Sequence, residues 1–146
     1  MSRFRFPLER VLAWRRTQLE IEEARYQQKL AAVAALDRQR AEMEAAGIQA
    51  EVQVRAWKAV SGEDLAALAE FRQSVRTREK QIAARRAEAA KTADAQLAAM
   101  LEARRRCRLL ERLKERRQAE WQAADRRALE ELAAESYLAR WNREHA

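Results

Sequence analysis

Residues 60–64 read Val60-Ser61-Gly62-Glu63-Asp64, and they stand between two long stretches that hold no comparable break. Ser61 is a small hydroxyl residue of the kind that caps a helix start. Asp64, three positions on, matches the reciprocal member of a capping box, although it is shorter than the usual Glu or Gln. Glu63 and Asp64 also favour the positive end of a helix dipole. The spacing predicts that one helix ends and another begins here, with a turn at about residues 60–63.

On the N-terminal side, helix is expected from Pro7, whose fixed φ suits a first helical position. Leu12, Leu19, Tyr26 and Val33 recur every seven residues, with Leu8, Leu36 and Met43 on the adjoining seam positions and Leu30 widening the stripe. Arg15, Glu22 and Lys29 interrupt that second seam, their stems covering apolar surface while their heads reach water. Gly47 is the only other candidate break and reads as a weak point or kink. On the C-terminal side, Leu68, Val75, Ile82 and Ala89 repeat the seven-residue step, broadened by Leu65, Phe71, Leu97, Met100 and Leu101.

Composition agrees with these periods. The 146 residues include two glycines and one proline, too few breakers for sheets or loop-rich folds. Hydrophobic residues make up 48% of the chain, yet 33 of them are alanine, which leaves little for a globular core; most other positions are strong helix formers. The expected fold is all-α, a long antiparallel two-helix coiled-coil hairpin forming one domain over 1–146, with helices at about 7–59 and 64–141. Neither helix can bury its stripe alone, so each should fold back on the other. Folding at Ser61 and Gly62 brings residue i near residue 123 − i, so Leu8, Val11 and Leu12 should lie near Leu109, Leu110 and Leu113. At 1.5 Å per residue the arms are roughly 80 and 115 Å long, and residues beyond about Arg117 have no expected counterpart.

The formal charge is +7 and the pI about 10.3, which points to an acidic partner: nucleic acid, an anionic membrane or an acidic protein surface. Residues 102–118, EARRRCRLLERLKERRQ, hold eight bases and three acids, and residues 1–16 hold five bases and one acid. The expected fold brings these segments together, so its open end is strongly basic and its turn end nearly neutral. The bland reading of such arginine-rich helix is a solvated face with i, i+4 pairs. Nucleic-acid binding finds no helix-turn-helix spacing, no zinc ligands and no aromatic platform, and no nucleic-acid partner is expected. Bases and acids occur all round the helices, which argues against a membrane-surface helix. No stretch approaches 18 uncharged apolar residues and the start lacks a signal-peptide core, so the expected compartment is cytoplasmic.

Little in the sequence suggests catalysis. His145 has no second ligand beside it and reads as a solvated tail residue. Cys107 lies among arginines that would lower its thiol pKa, but no general base adjoins it. No glycine-rich loop cradles a phosphate. The chain is therefore expected to be no enzyme and to need no cofactor or metal. Trp14, Trp57, Trp121 and Trp141 are either packed against the opposite arm or anchors for another protein's pocket. Phe71 and Val75, four apart on one face near the turn, pose the same choice.

Three segments together resemble the flagellar FliJ family, the small chaperone-like stalk of the flagellar type III export apparatus. They are FRFPLERVLAWRRTQLEIEEA at 4–24, SGEDLAALAEFRQSVRTREKQI at 61–82 and LLERLKERRQAEWQAADRRALEELAAE at 109–135, in the family's order. The resemblance implies a coiled coil similar to the central stalk of rotary ATPases. It implies that the terminal end meets a hexameric export ATPase, that the turn end meets the export-gate membrane protein, and that export chaperones are handled too. The gate contact would fall on Phe71 and Val75, where valine replaces the family's usual larger aliphatic residue. The ATPase contact would draw on Arg104, Arg105, Arg108, Arg112, Arg116, Arg117 and Trp121. The implied location is cytoplasmic, peripheral to the inner face of the cell membrane at the flagellar base. Two alternatives stay open: the equivalent stalk of a virulence-type secretion system or another rotary-type ATPase, and a basic nucleic-acid-binding coiled coil.

Overall fold

The computed structural model describes residues 3–146; Met1 and Ser2, the first residues of the expected domain, lie outside it. Two long helices packed against each other make up nearly all of it: α1, Glu9–Arg55, of 47 residues, and α2, Gly62–Glu144, of 83. Among the described residues there is no strand.

The helix ends follow from their backbone partners. Pro7 and Leu8 form a turn, and the first helical bond runs from the Leu12 N–H to the Leu8 carbonyl at 2.9 Å, so regular helix starts two residues later than Pro7. At the other end the Ala56 N–H donates to both Val52 and Gln53, and the Trp57 N–H to Val54, all at 3.2 Å. This tightening of the last turn ends α1 at Arg55, four residues before the expected Ala59. Ser61 then caps α2 reciprocally: the Asp64 N–H donates to Ser61 Oγ at 3.1 Å, and the Ser61 N–H to Asp64 Oδ2 at 3.0 Å. Because Ser61 is the cap, α2 begins at Gly62 rather than Asp64, and the link is Ala56–Ser61. No residue in it has positive φ. Gly47 does not end α1, which runs through it.

The chain divides into two compact units. One comprises Glu20–Leu101 and contains the link. Across its two helices Asp37 meets Arg86 at 2.6 Å and Glu51 meets Arg72 at 2.7 Å, while Gln96 donates to the Glu22 carbonyl at 3.2 Å and also to the Glu22 carboxylate. Residue numbers thus rise on one helix as they fall on the other. Both ion pairs obey the 123 − i relation, and the Glu22–Gln96 contact departs from it by five residues. Glu22, an interruption of the seam, is half-buried and satisfied by the Gln96 amide. Val75, Ile82, Ala93 and Met100 are the buried residues of this unit. The seven-residue step from Val75 to Ile82 was legible; the next buried position is Ala93, eleven residues on, with Ala89 only half-buried. An eleven-residue step keeps one face inward by matching 3.67 residues per turn.

The other unit joins the residues up to Leu19 with Glu102–Ala146. Its core is Phe6, Leu12 and Cys107, Leu12 being fully buried. Glu9 meets Lys114 at 2.9 Å, again on the 123 − i relation, and Arg16 meets Glu111 at 3.4 Å, one helical turn away from it. Of the apolar residues expected together here, Leu12 is buried and Leu110 and Leu113 half-buried, while Leu8, Val11 and Leu109 are 39%, 42% and 54% exposed. A two-helix packing covers only one stripe of each helix, and these three stand at its margin. No helix among the described residues is long and apolar enough to cross a membrane.

Candidate functional site

Net charge is confined to one unit. Glu20–Leu101 holds thirteen bases and thirteen acids, so the unit formed by the remaining residues carries the whole +7. Within that charged unit some basic side chains are paired and others are not. Arg105 and Arg106 both bind Glu102, at 3.2 and 3.1 Å, and Arg16 and Lys114 pair with Glu111 and Glu9. The two guanidinium groups hold the Glu102 carboxyl below its usual range, first through the Arg105 hydrogen bond and then through that of Arg106. Arg104 also has a partner. Arg108, Arg112, Arg116 and Arg117, by contrast, are exposed and have no ion partner among the described residues, nor do Arg3 and Arg5. These six, with Arg10, Arg126, Arg127 and Arg140 of the same unit, are exposed cations open to another molecule.

The same unit carries a groove of about 580 Å³ lined by Phe4, Phe6, Leu8, Leu113 and Trp121 together with Arg5, Arg117 and Glu120. The chain ahead of α1 makes one wall because Pro7 turns it: Phe6 packs inward, and the Phe4 ring lies 6.1 Å from that of Trp121 at an angle of 50°. Trp121 is half-buried, whereas Trp14, Trp57 and Trp141 are about half exposed and fill no seam. Trp14 holds the Arg15 guanidinium 4.8 Å above its ring, and Trp141 stacks on His145 at 4.3 Å. Phe4 and Phe6 were not singled out from the sequence. The signal for them was aromatic, any residue, aromatic, proline just ahead of a helix, a pattern that places two rings on a turn.

In the neutral unit, Phe71 and Val75 part company. Val75 is buried at 9% exposure and Phe71 is exposed at 40%. Val75 also forms part of an open groove of about 510 Å³ together with Gly47, Ile48, Glu51 and Arg72. Gly47 borders it, and a Cβ there would stand at an ordinary 3.8 Å from Val75 Cγ1. Ile48 and Val52 beside it are exposed.

Cys107 requires a correction. Its thiol is pushed up, not down, because it is 2% exposed and because the Glu111 carboxylate lies 3.6 Å away; Arg16 opposes this more weakly. Its sequence neighbours Arg105 and Arg106 engage Glu102 instead, and Cys107 follows Ala93 and Met100 in the buried row. Among the described residues no group of three or more His, Cys, Asp or Glu is placed to hold a metal ion.

Comparisons with models of known protein families, with curated proteins and with solved structures find no match to this chain.

Proposed function

We propose that the two helices form a long antiparallel coiled-coil hairpin that serves as a non-enzymatic stalk of the flagellar export apparatus, as the resemblance of its segments to the FliJ family implies. In this reading the charged unit meets the hexameric export ATPase and the neutral unit meets the export gate, with export chaperones as further partners. The protein works at the cytoplasmic face of the membrane without entering it. The observation that carries the reading is the confinement of the entire net charge to the unit that contains both basic segments. A stalk with two dissimilar partners needs two chemically dissimilar surfaces, one suited to an acidic partner and one to an apolar contact.

Within the expected ATPase contact, the unpaired Arg108, Arg112, Arg116 and Arg117 are better suited than Arg104 and Arg105, whose heads are already engaged. At the gate contact Phe71 supplies the exposed anchor, and Val75 supports the groove beside it. The test is Arg116→Glu with Arg117→Glu. Binding to the export ATPase and any stimulation of ATP hydrolysis should fall by about tenfold or more at low salt. Helicity should stay unchanged, because exposed charges contribute within about 1 kcal/mol to stability. Unaltered ATPase binding at moderate salt would leave the basic surface a merely solvated face.

A further inference from the structure

Every residue from Arg126 to Ala146 is exposed, although this part of α2 is not uniformly polar. Leu129 and Leu132 are 48% and 59% exposed. Residues 121, 125, 128 and 132 follow one another at four, three and four positions, so Trp121, Asp125, Ala128 and Leu132 share one helix face, apolar but for the one acid. The stretch 128–139, ALEELAAESYLA, contains three glutamates and no base. Glu131 and Glu135 have no ion partner among the described residues. The groove that precedes this stretch has the opposite character, its lining including Arg5, Arg117, Phe4 and Trp121, with Glu120 the one acid. An acidic apolar ridge and a basic aromatic groove thus belong to one chain. They cannot meet within it, because the ridge and the Leu113–Trp121 wall of the groove are successive parts of the single uninterrupted helix α2.

We infer that two copies of this chain associate reciprocally, the 128–139 ridge of each seated in the Phe4–Trp121 groove of the other. The arrangement is self-complementary, as a two-fold interface requires. With antiparallel α2 helices and the axis near Arg126, Leu132 comes beside Trp121 of the second copy and Glu135 beside Arg117 of the second copy, and each contact forms twice. The two Leu132–Trp121 contacts, one on each side of the axis, exclude water, and the charge pairs set register and orientation. Self-association does not require the export-ATPase reading, but it draws on the same Arg117 and Trp121, so an ATPase bound there would compete with the second copy; sedimentation of the chain alone tests the dimer without that partner.

The full chain should show a concentration-dependent monomer–dimer equilibrium in sedimentation or light scattering, and the dimer should weaken as salt rises. Glu131→Arg with Glu135→Arg reverses the ridge, and Arg5→Glu with Arg117→Glu reverses the groove. Each variant alone should dimerise at least about tenfold more weakly, with an unchanged circular dichroism spectrum, since all four positions are exposed. Mixed in equal amounts, the two variants should recover a heterodimer, because both reciprocal contacts then pair opposite charges. Any one of three results overturns the inference: a wild-type chain that stays monomeric at about 100 μM in low salt, a dimer indifferent to salt and to both reversals, or a mixture no more dimeric than either variant.

Discussion

Single residues carry two of the sharpest tests. The Asp64 carboxyl is held below its usual range, first by the Ser61 backbone N–H and then by the Ser61 hydroxyl. A carboxyl with a depressed folded value stabilises above its unfolded value and loses that contribution as pH falls through the folded one. The start of α2 should therefore loosen below about pH 4, seen as lost helicity that Asp64→Asn no longer shows. Ser61→Ala should cost about 1 kcal/mol in a urea titration. Cys107 has the opposite sign. Its raised thiol keeps a proton that the unfolded chain would release, so its contribution is intact at neutral pH and fades as pH climbs above about 8.5. Alkylation at pH 8 should run at least about tenfold slower than for a free thiol and recover in urea; reaction at the free rate would contradict burial at this position. Ser61 and Asp64 were legible because a cap is local. The Cys107 environment was not, because its decisive neighbours, Glu111 and Arg16, are selected by helix face and by the opposite arm rather than by adjacency in sequence.

For the helices, the period and the register were readable, and the places where the reading slipped have physical causes. Asp37–Arg86, Glu51–Arg72 and Glu9–Lys114 fall on a relation derived from the position of the cap alone. The end of α1 was placed late because nothing marks it: no glycine adopts a left-handed conformation, and the helix simply tightens over Ala56 and Trp57. On α2 the seven-residue step carries to Ala89 and the widened stripe includes Met100, which is buried, but the buried row between Ile82 and Met100 passes through Ala93 instead of Ala89, since a stretch rich in alanine gives no contrast by which to detect a shift of four. Gly47 offers a direct intervention. Its backbone is helical, and an added Cβ would meet Val75 Cγ1 at an ordinary 3.8 Å. Gly47→Ala should raise stability by about 0.5–1 kcal/mol, read as a higher thermal midpoint. A destabilised variant would mean that the groove at Val75 tolerates no side chain.

Across the whole molecule, the difference between Phe71 and Val75 separates binding from folding. Val75→Ala removes two buried methyl groups and should cost about 2 kcal/mol of stability, affecting every partner alike. Phe71→Ala alters an exposed ring and should leave the melting curve nearly unchanged. If the export-gate reading holds, it should weaken gate binding by about thirtyfold while sparing the ATPase. A Phe71→Ala protein that melts early would return that residue to the seam. The sequence alone could not separate the pair, since two apolar residues four apart share a face whether that face is packed or open. The connection between the helices has a consequence of its own. Ala56–Ser61 is exposed throughout and has no strained backbone. Continuity of the chain at that point therefore serves proximity alone. Two separate polypeptides, 3–58 and 59–146, should find each other and regain the helicity of the intact protein on mixing. Their folding then becomes a bimolecular reaction whose midpoint rises with concentration, which makes the strength of the packing measurable as a dissociation constant.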